Sequence, residues 1–420
     1  MPHRTPQPRR WPVLAGGALI QLFGGIPAAW GAFQRGVEQG FALDTDAVVL
    51  AFCFVIAAYG VGCVAGGALQ DTLGPRAACL LGAAGLGGGF WAGSFAAQGA
   101  AWPLYLMFSL PVGLGCAVLY PAVMSCVQRW WPDRRGFATG VIGGAVGLSG
   151  AVLTFSARWL IGGWGIRVCF RVLGSVMAAA CVLGALVLRD PPQQTDAASA
   201  ARSPAARADG GAPAAKPSSG VKASPAADLP PKQVLRTADY WLLLTAVACA
   251  SPTVLLFSPV ILTLGQQRGL SENAAALAIV IGSLTSAAGR LLMPWLSDRL
   301  GRRVADLGLF GALCGFSVLF AFVQRGWVLV LYACLTFCYS GQAALLPAFA
   351  SDRYGSRWAG VNYGLLALGM SAGSLAFPQL ARRLQGQAAP HWIAAAAAAA
   401  GFVCLLLYGR GQRRAAGDEP

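Results

Sequence analysis

Charge is scarce in this chain. Asp, Glu, Lys and Arg make up 11% of the 420 residues, against about 25% in a soluble domain. Lysine is almost missing: Lys216, Lys222 and Lys232 are the whole complement, and all three fall in one stretch. Histidine is nearly absent too, with His3 and His391 near the chain ends. No CxxC pair occurs, so neither a zinc site nor a redox dithiol is expected, and no metal or cofactor is implied. No G-x-x-x-x-G-K-[ST] sequence occurs, which excludes a P-loop ATP-driven pump.

Apolar residues fill the space: 56% are hydrophobic and the mean hydropathy is +0.59. A membrane span needs about 20 mainly apolar residues. Twelve such stretches are predicted: 12–33, 47–69, 77–97, 102–127, 137–161, 168–188, 240–264, 273–296, 304–324, 327–350, 359–380 and 391–408. They are called spans 1 to 12 below. Span 1 follows Arg9 and Arg10 and could imitate a signal peptide, but it shows no evident cleavage site and eleven more spans follow, so it reads as a retained helix. All twelve cysteines fall inside predicted spans, where they act as small apolar residues.

The net charge of +15 is mainly a topology signal. With both termini inside, 22 of the 31 Lys and Arg fall in the termini, the even-numbered connections and the central loop. Eight lie at or near the other side, and Arg290 is the last. That is the positive-inside pattern. The basic residues are dispersed among loops, so nucleic acid is not an expected partner; the lipid bilayer is. Alanine- and arginine-rich composition suits a bacterial inner membrane, with both termini cytoplasmic, and a monomer is expected.

Residues 190–236, rich in Pro, Ala and Ser, read as a disordered cytoplasmic linker. It separates a six-helix bundle, 1–189, from a second one with a short tail, 237–420. The two halves echo each other. "GALQDTLGPR" (Gly67 to Arg76) follows span 2 and "PWLSDRLGRR" (Pro294 to Arg303) follows span 8, with Asp71 and Asp298 separated by 227 residues. Pro121 of "YPAV" and Pro347 of "LPAF" are separated by 226. Two pairs with nearly one offset argue for duplication, and internal repeats of this kind mark transporters whose substrate site lies near the midplane.

The stretch G67-A-L-Q-D71-T-L-G74-P-R76 resembles the G-x-x-x-D-x-x-G-x-R signature of the major facilitator superfamily, and Asp298, Gly301, Arg302 and Arg303 echo it. The resemblance implies the major facilitator fold: an all-α membrane protein of twelve transmembrane helices in two six-helix pseudo-repeats. Gly67, Asp71, Gly74, Arg76, Asp298, Gly301, Arg302 and Arg303 are then expected to gate. Glycine lets helices approach closely, and an aspartate at a helix end pairs with arginine or a helix N-terminus in one conformation only. The other reading of these motifs is a capped turn with positive-inside arginines.

"RWWPDRRGFATG" (Arg129 to Gly140), "AAWGAF" near the end of span 1, "LPAFASDRYG" (Leu346 to Gly355) and "NYG" (Asn362 to Gly364) resemble the oxalate:formate antiporter family, a branch related to the monocarboxylate transporters. In that branch an arginine of helix 8 binds carboxylate, and "AAGR" places Arg290 there. A guanidinium at bilayer depth is rarely kept without a partner, and it fits a carboxylate bidentately. A structural pair or a snorkelling side chain is the alternative, because Asp298 is only eight residues away. Oxalate carriers add a helix 11 lysine, whose matching position here is Met370, so a single carboxylate is expected. Ala28, two before Trp30, and Ala367, three before Met370, stand where the family has bulk, which implies a wider pocket. Tyr120, Tyr339, Gln342, Asn362, Tyr363 and Trp30 are the candidate partners of Arg290.

No acid falls in the middle of a span, and no histidine is central, so an internal proton relay has no evident carrier. The expected function is secondary transport of an organic anion, most simply a monocarboxylate, by alternating access, as antiport or proton-linked symport. Drug efflux by the same fold and dicarboxylate or formate exchange are the alternatives; "GVIGGAVGLSGA" lacks the G-P pair usual in drug antiporters. A serine protease built on "GLSG" (147–150) would need a histidine base within reach, and His391 alone is available in the helical region, so no enzyme is expected.

Overall fold

The computed structural model describes residues 10–131, 135–189, 191, 228–355, 358–384, 386 and 388–417. Every regular element among them is helical, as lipid demands of a chain that must satisfy its own backbone. Among the described residues, nine helical segments are long and apolar enough to cross a membrane, or ten when Arg10–Gly24 and Ala29–Phe41, bent by 42°, count as one span. Two helices are too long for a single pass. Thr45–Gly93 has 49 residues and Arg135–Val187 has 53, each well over 70 Å at about 1.5 Å per residue, against a hydrocarbon core of about 30 Å.

One glycine breaks each of them. Gly74 has φ 80° and ψ 167°, and Gly165 has φ 79° and ψ 173°, a region open in practice to glycine alone. The chain reverses there. Before Gly74, Gly62 and Gly66 meet Leu114 and Val118 of span 4 in ascending order; after it, Gly82 meets Leu119 and Gly89 meets Val112 in descending order. Around Gly165 the pattern repeats: Gly17 and Gly25 of span 1 face Ile142 and Val146, whereas Gly16 faces Gly184. The stretch after Gly74 and the division at Gly165 each add one pass to the ten, which gives the twelve read from the sequence.

The second half uses the same device. Gly301 (φ 88°, ψ 139°) separates Glu272–Leu300 from Arg302–Phe320, and Gly355 (φ 84°, ψ 173°) ends Trp327–Tyr354. Gly301 stands 227 residues after Gly74, the offset of the aspartate pair. Pro75 follows Gly74 at the first helical position, where its missing N–H is harmless. Span 7 is fragmented into Ala238–Ala250, Pro252–Phe257 and Ile261–Gln267.

Two of the places where the halves meet are antiparallel crossings of small residues. In the span 2–span 11 crossing, an added Cβ on Gly60 would meet Ser371, and one on Gly67 would sit 2.7 Å from the carbonyl carbon of Gly360. In the span 5–span 8 crossing, Gly140 faces Leu291, Gly143 faces Arg290, and Gly147 lies against the Ala287 backbone. Such glycines bring backbones together where lipid supplies no hydrophobic drive.

Most of the linker, residue 190 and residues 192–227, lies outside the described residues, as do residues 1–9 and 418–420. Its last part is ordered. Leu229 N–H donates to the Tyr354 carbonyl at 3.0 Å, Pro231–Val234 forms one helical turn, and Val234 is fully buried. Residues 228–236 thus pack under spans 10 and 11, so the sequence reading drew the linker too long at this end.

Gly74→Ala is predicted to lower stability by about 1–3 kcal/mol. Nothing lies within 4 Å of the added Cβ, so the loss is conformational. Gly88→Ala, helical and equally open, should be neutral or stabilise by up to about 1 kcal/mol. Thermal unfolding in detergent compares the two.

Candidate functional site

A cavity of about 120 Å³ lies between the halves. Arg290, at the nineteenth position of the 29-residue helix Glu272–Leu300, reaches into it. Gly143 makes this possible, because a Cβ there would stand 3.2 Å from the Arg290 Cβ. Among the described residues the guanidinium makes no ion pair and no hydrogen bond, and its Nε is buried without an acceptor. No Asp, Glu, Lys or His among the described residues lines the cavity. Arg290 is therefore the one full charge that the described residues place on its wall.

Tyrosines surround that charge. Tyr120, Tyr339 and Tyr363 line the cavity within electrostatic reach of Arg290, and the rings of Tyr120 and Tyr363 are 6.2 Å apart. Gln342 lines it as well. So does Met370, which presents a thioether where the resembled carriers have a cation. Ala367 is fully buried and does not line the cavity; its carbonyl lies against Gly60. The side chain of Ala28 lies outside the described residues.

Two expected partners stand elsewhere. Trp30 is fully buried in an aromatic cluster, stacked on Phe52 at 5.8 Å and packed against Phe108 at 5.7 Å. Asn362 is fully buried at the end of the bundle that holds Gly74 and Gly301, where its Nδ2 donates to the Leu229 carbonyl at 3.2 Å. Neither touches the cavity. The structure adds residues the sequence reading did not single out. Tyr59 and Gln21 line the cavity from the first half, and Ser283, Ser286, Thr336 and Ser340 from the second. Gln21 also donates to the Leu119 carbonyl at 3.2 Å, two residues before Pro121, which lies inside the continuous helix Leu110–Trp130. The serines had a legible signal: positions 283, 286 and 290 share one helical face. Tyr59 sits in an unbroken apolar run and had none.

The motif residues divide into two groups. Gly67 lies on the crossing between halves. Asp298 instead pairs within its own half, with Arg302 at 2.6 Å, and Arg302 also pairs with Asp352 at 3.2 Å and hydrogen-bonds to Ser297. Arg303 donates to the carbonyls of Leu405 and Leu406 at 2.9 Å each. In this conformation these groups tie spans 8, 9, 10 and 12 together rather than half to half. Arg76 is exposed, and the side chain of Asp71 lies outside the described residues. At the opposite end the halves are joined by Arg382 and Asp46 at 3.1 Å and by a hydrogen bond from Arg35 to Gln266. The cavity is thus bounded by contacts at both ends. The buried acid Asp306 of span 9 is not part of its lining.

Residues 14–378 match the sequence family described as the Major Facilitator Superfamily. The chain belongs to that superfamily. It is 25% identical over 374 residues to an uncharacterised superfamily-type transporter, YhjX, of Escherichia coli (strain K12), covering 88% of this chain and 87% of that one. It is 25% identical over 361 residues to the oxalate:formate antiporter of Oxalobacter formigenes, at 84% and 80% coverage. A shorter likeness, 34% over 86 residues, joins it to monocarboxylate transporter 9 of Gallus gallus, at 20% and 17% coverage. A D-xylose–proton symporter superposes with a TM-score of 0.64 at 14% identity over 95% of this chain and 97% of that one, and a peptide transporter in complex with sulfate does so with the same score and identity over 96% and 94%. These two bear on fold alone. This superfamily member is a membrane transporter and not an enzyme.

A carrier that alternates must break its end contacts in every cycle, so they should be weak. Asp46 and Arg382 are 56% and 51% exposed, and a pair so placed contributes about 1 kcal/mol or less. A double-mutant cycle of Asp46→Asn and Arg382→Gln is predicted to give a coupling below about 1 kcal/mol that falls as salt rises. A larger, salt-insensitive coupling would contradict a readily opened contact.

Proposed function

We propose that this carrier moves an organic monocarboxylate across the inner membrane by alternating access of its two halves, 1–189 and 237–420, with Arg290 binding the carboxylate. One observation carries the reading: a single cation, without a partner among the described residues, faces a cavity between the halves. A monoanion neutralises it. A carboxylate accepts two parallel N–H bonds from a guanidinium, a geometry that lysine cannot offer, and Tyr120, Tyr339 and Tyr363, which line the same cavity, carry further O–H donors.

Arg290 also stands at the span 5–span 8 crossing, beside Gly143. Anion binding and the closing of that crossing therefore act on the same few atoms. This gives the substrate a differential contact with the conformations, without which it could not shift them. Among the described residues the cavity lining offers no carboxylate or imidazole to take up a proton. Exchange of anions, or symport in which substrate and Arg290 share the proton, needs no further group. The distribution of basic residues sets the end holding Gly74 and Gly301 toward the cytoplasm, together with both termini.

Met370 argues against two carboxylates. The relatives include an oxalate:formate antiporter, yet a thioether cannot neutralise a second charge. In proteoliposome counterflow, an aliphatic monocarboxylate such as butyrate should exchange, its amide should not compete, and oxalate should compete at least about tenfold more weakly, a difference of about 1.4 kcal/mol. Met370→Lys should narrow or reverse that gap. Equal competition by oxalate and butyrate, or by the amide, would overturn the assignment.

A further inference from the structure

The second half lines the cavity with more polar groups than one carboxylate needs. Ser283 and Ser286 stand seven and four residues before Arg290, on the same face of span 8, and both reach the cavity. Thr336 and Ser340 join them from span 10. A long helical side chain leans toward the helix N-terminus, so Arg290 extends toward Ser286.

The proton count distinguishes these hydroxyls. Ser283 donates to the Ile279 carbonyl at 2.8 Å. Thr285 and Thr336, 2.8 Å apart, each have backbone carbonyls of their own helix as acceptors. The oxygens of Ser286 and Ser340 are 2.6 Å apart, and these residues are 6% and 3% exposed. They make no other hydrogen bond among the described residues. Two hydroxyls joined by one bond hold two protons and spend one. One buried O–H donor, with lone pairs beside it, is left on the cavity wall.

We propose that the Ser286–Ser340 pair is a second subsite that takes a hydroxyl of the substrate, so that the preferred anions are monocarboxylates hydroxylated at the third carbon or beyond. This deepens the carboxylate reading and rests on it. Ser286 lies about 6 Å along the helix from Arg290, roughly one turn. A hydroxyl on the second carbon stays near the guanidinium, whereas one further along spans the turn. A substrate hydroxyl can accept from the spare O–H and donate to a serine lone pair. The apolar lining, Ile56, Val146, Ile279 and Leu346, receives the carbon chain. A tail without a hydroxyl leaves the buried donor unpaired, and sites built to bond a hydroxyl reject analogues that lack it.

Competition in counterflow tests this with butyrate, 2-hydroxybutyrate, 3-hydroxybutyrate and 4-hydroxybutyrate. In the wild-type carrier the 3- or 4-hydroxy acid should compete about tenfold or more better than butyrate, and the 2-hydroxy acid should stay close to butyrate. Ser286→Ala with Ser340→Ala should bring that ratio near one. Equal competition by butyrate and all the hydroxy acids in the wild type overturns the subsite, as does a ratio that survives the double substitution. The wild-type ratio decides even if the variant does not fold. If no acid in the panel competes, the carboxylate reading falls, and the subsite with it; exchange of butyrate without hydroxyl preference removes the subsite alone.

Discussion

An arginine held at bilayer depth without a fixed counter-charge is the constraint on which the rest of this structure depends. Insertion scales set the cost of a central guanidinium at about 2.5–3.5 kcal/mol. Arg290 meets none of the usual ways of lowering it. Asp298, eight residues along, is engaged by Arg302 at 2.6 Å, and no acid among the described residues lines the cavity. On the proposed reading the compensating charge comes from outside the chain and leaves again, which is what a carrier of anions requires.

Glycine lets the surrounding helices bring this charge to the boundary between halves. At Gly74, Gly165, Gly301 and Gly355 it supplies positive φ, so that the chain reverses or breaks at the bundle ends. At Gly67, Gly143 and Gly147 it supplies close approach, and the halves cross on backbone and small side chains. Interfaces of this kind hold through packing and are not locked by buried ion pairs. An ion pair between halves among the described residues, Arg382 with Asp46, is half exposed, whereas the motif network around Arg302 stays within one half. Rigid halves with weak seams suit rocking about a central site.

The sequence revealed what depends on period, composition and spacing. Twelve apolar stretches, the repeat offset of 227 and the two loop motifs were legible because lipid enforces helices and duplication preserves register. Arg290 was legible because charge is rare there. The resemblance to carboxylate carriers led to Met370, which does line the cavity. Trp30 and Asn362 illustrate the limit. Both sit in motifs resembling the same family, yet Trp30 fills an aromatic core and Asn362 holds the end of the linker. Which face of an apolar helix meets a cavity is decided by its neighbours, and an all-apolar surround leaves no periodic mark. Tyr59 went unnoticed for that reason. The serines of span 8 could have been found from their spacing to Arg290, but Ser340, 54 residues from Ser286, could only be joined to it by the fold.

The most direct test of the central claim is exchange of labelled monocarboxylate in proteoliposomes by the wild-type carrier and by Arg290→Gln, with monodispersity in detergent confirming that both are folded. Glutamine keeps two of the five N–H donors and removes the charge together with the guanidinium fork. The account predicts exchange by the wild type and a loss of at least about a hundredfold in the variant, the scale of a charge-assisted bidentate bond. A folded Arg290→Gln carrier that exchanges at the wild-type rate would show that the cation is structural and that another group receives the anion.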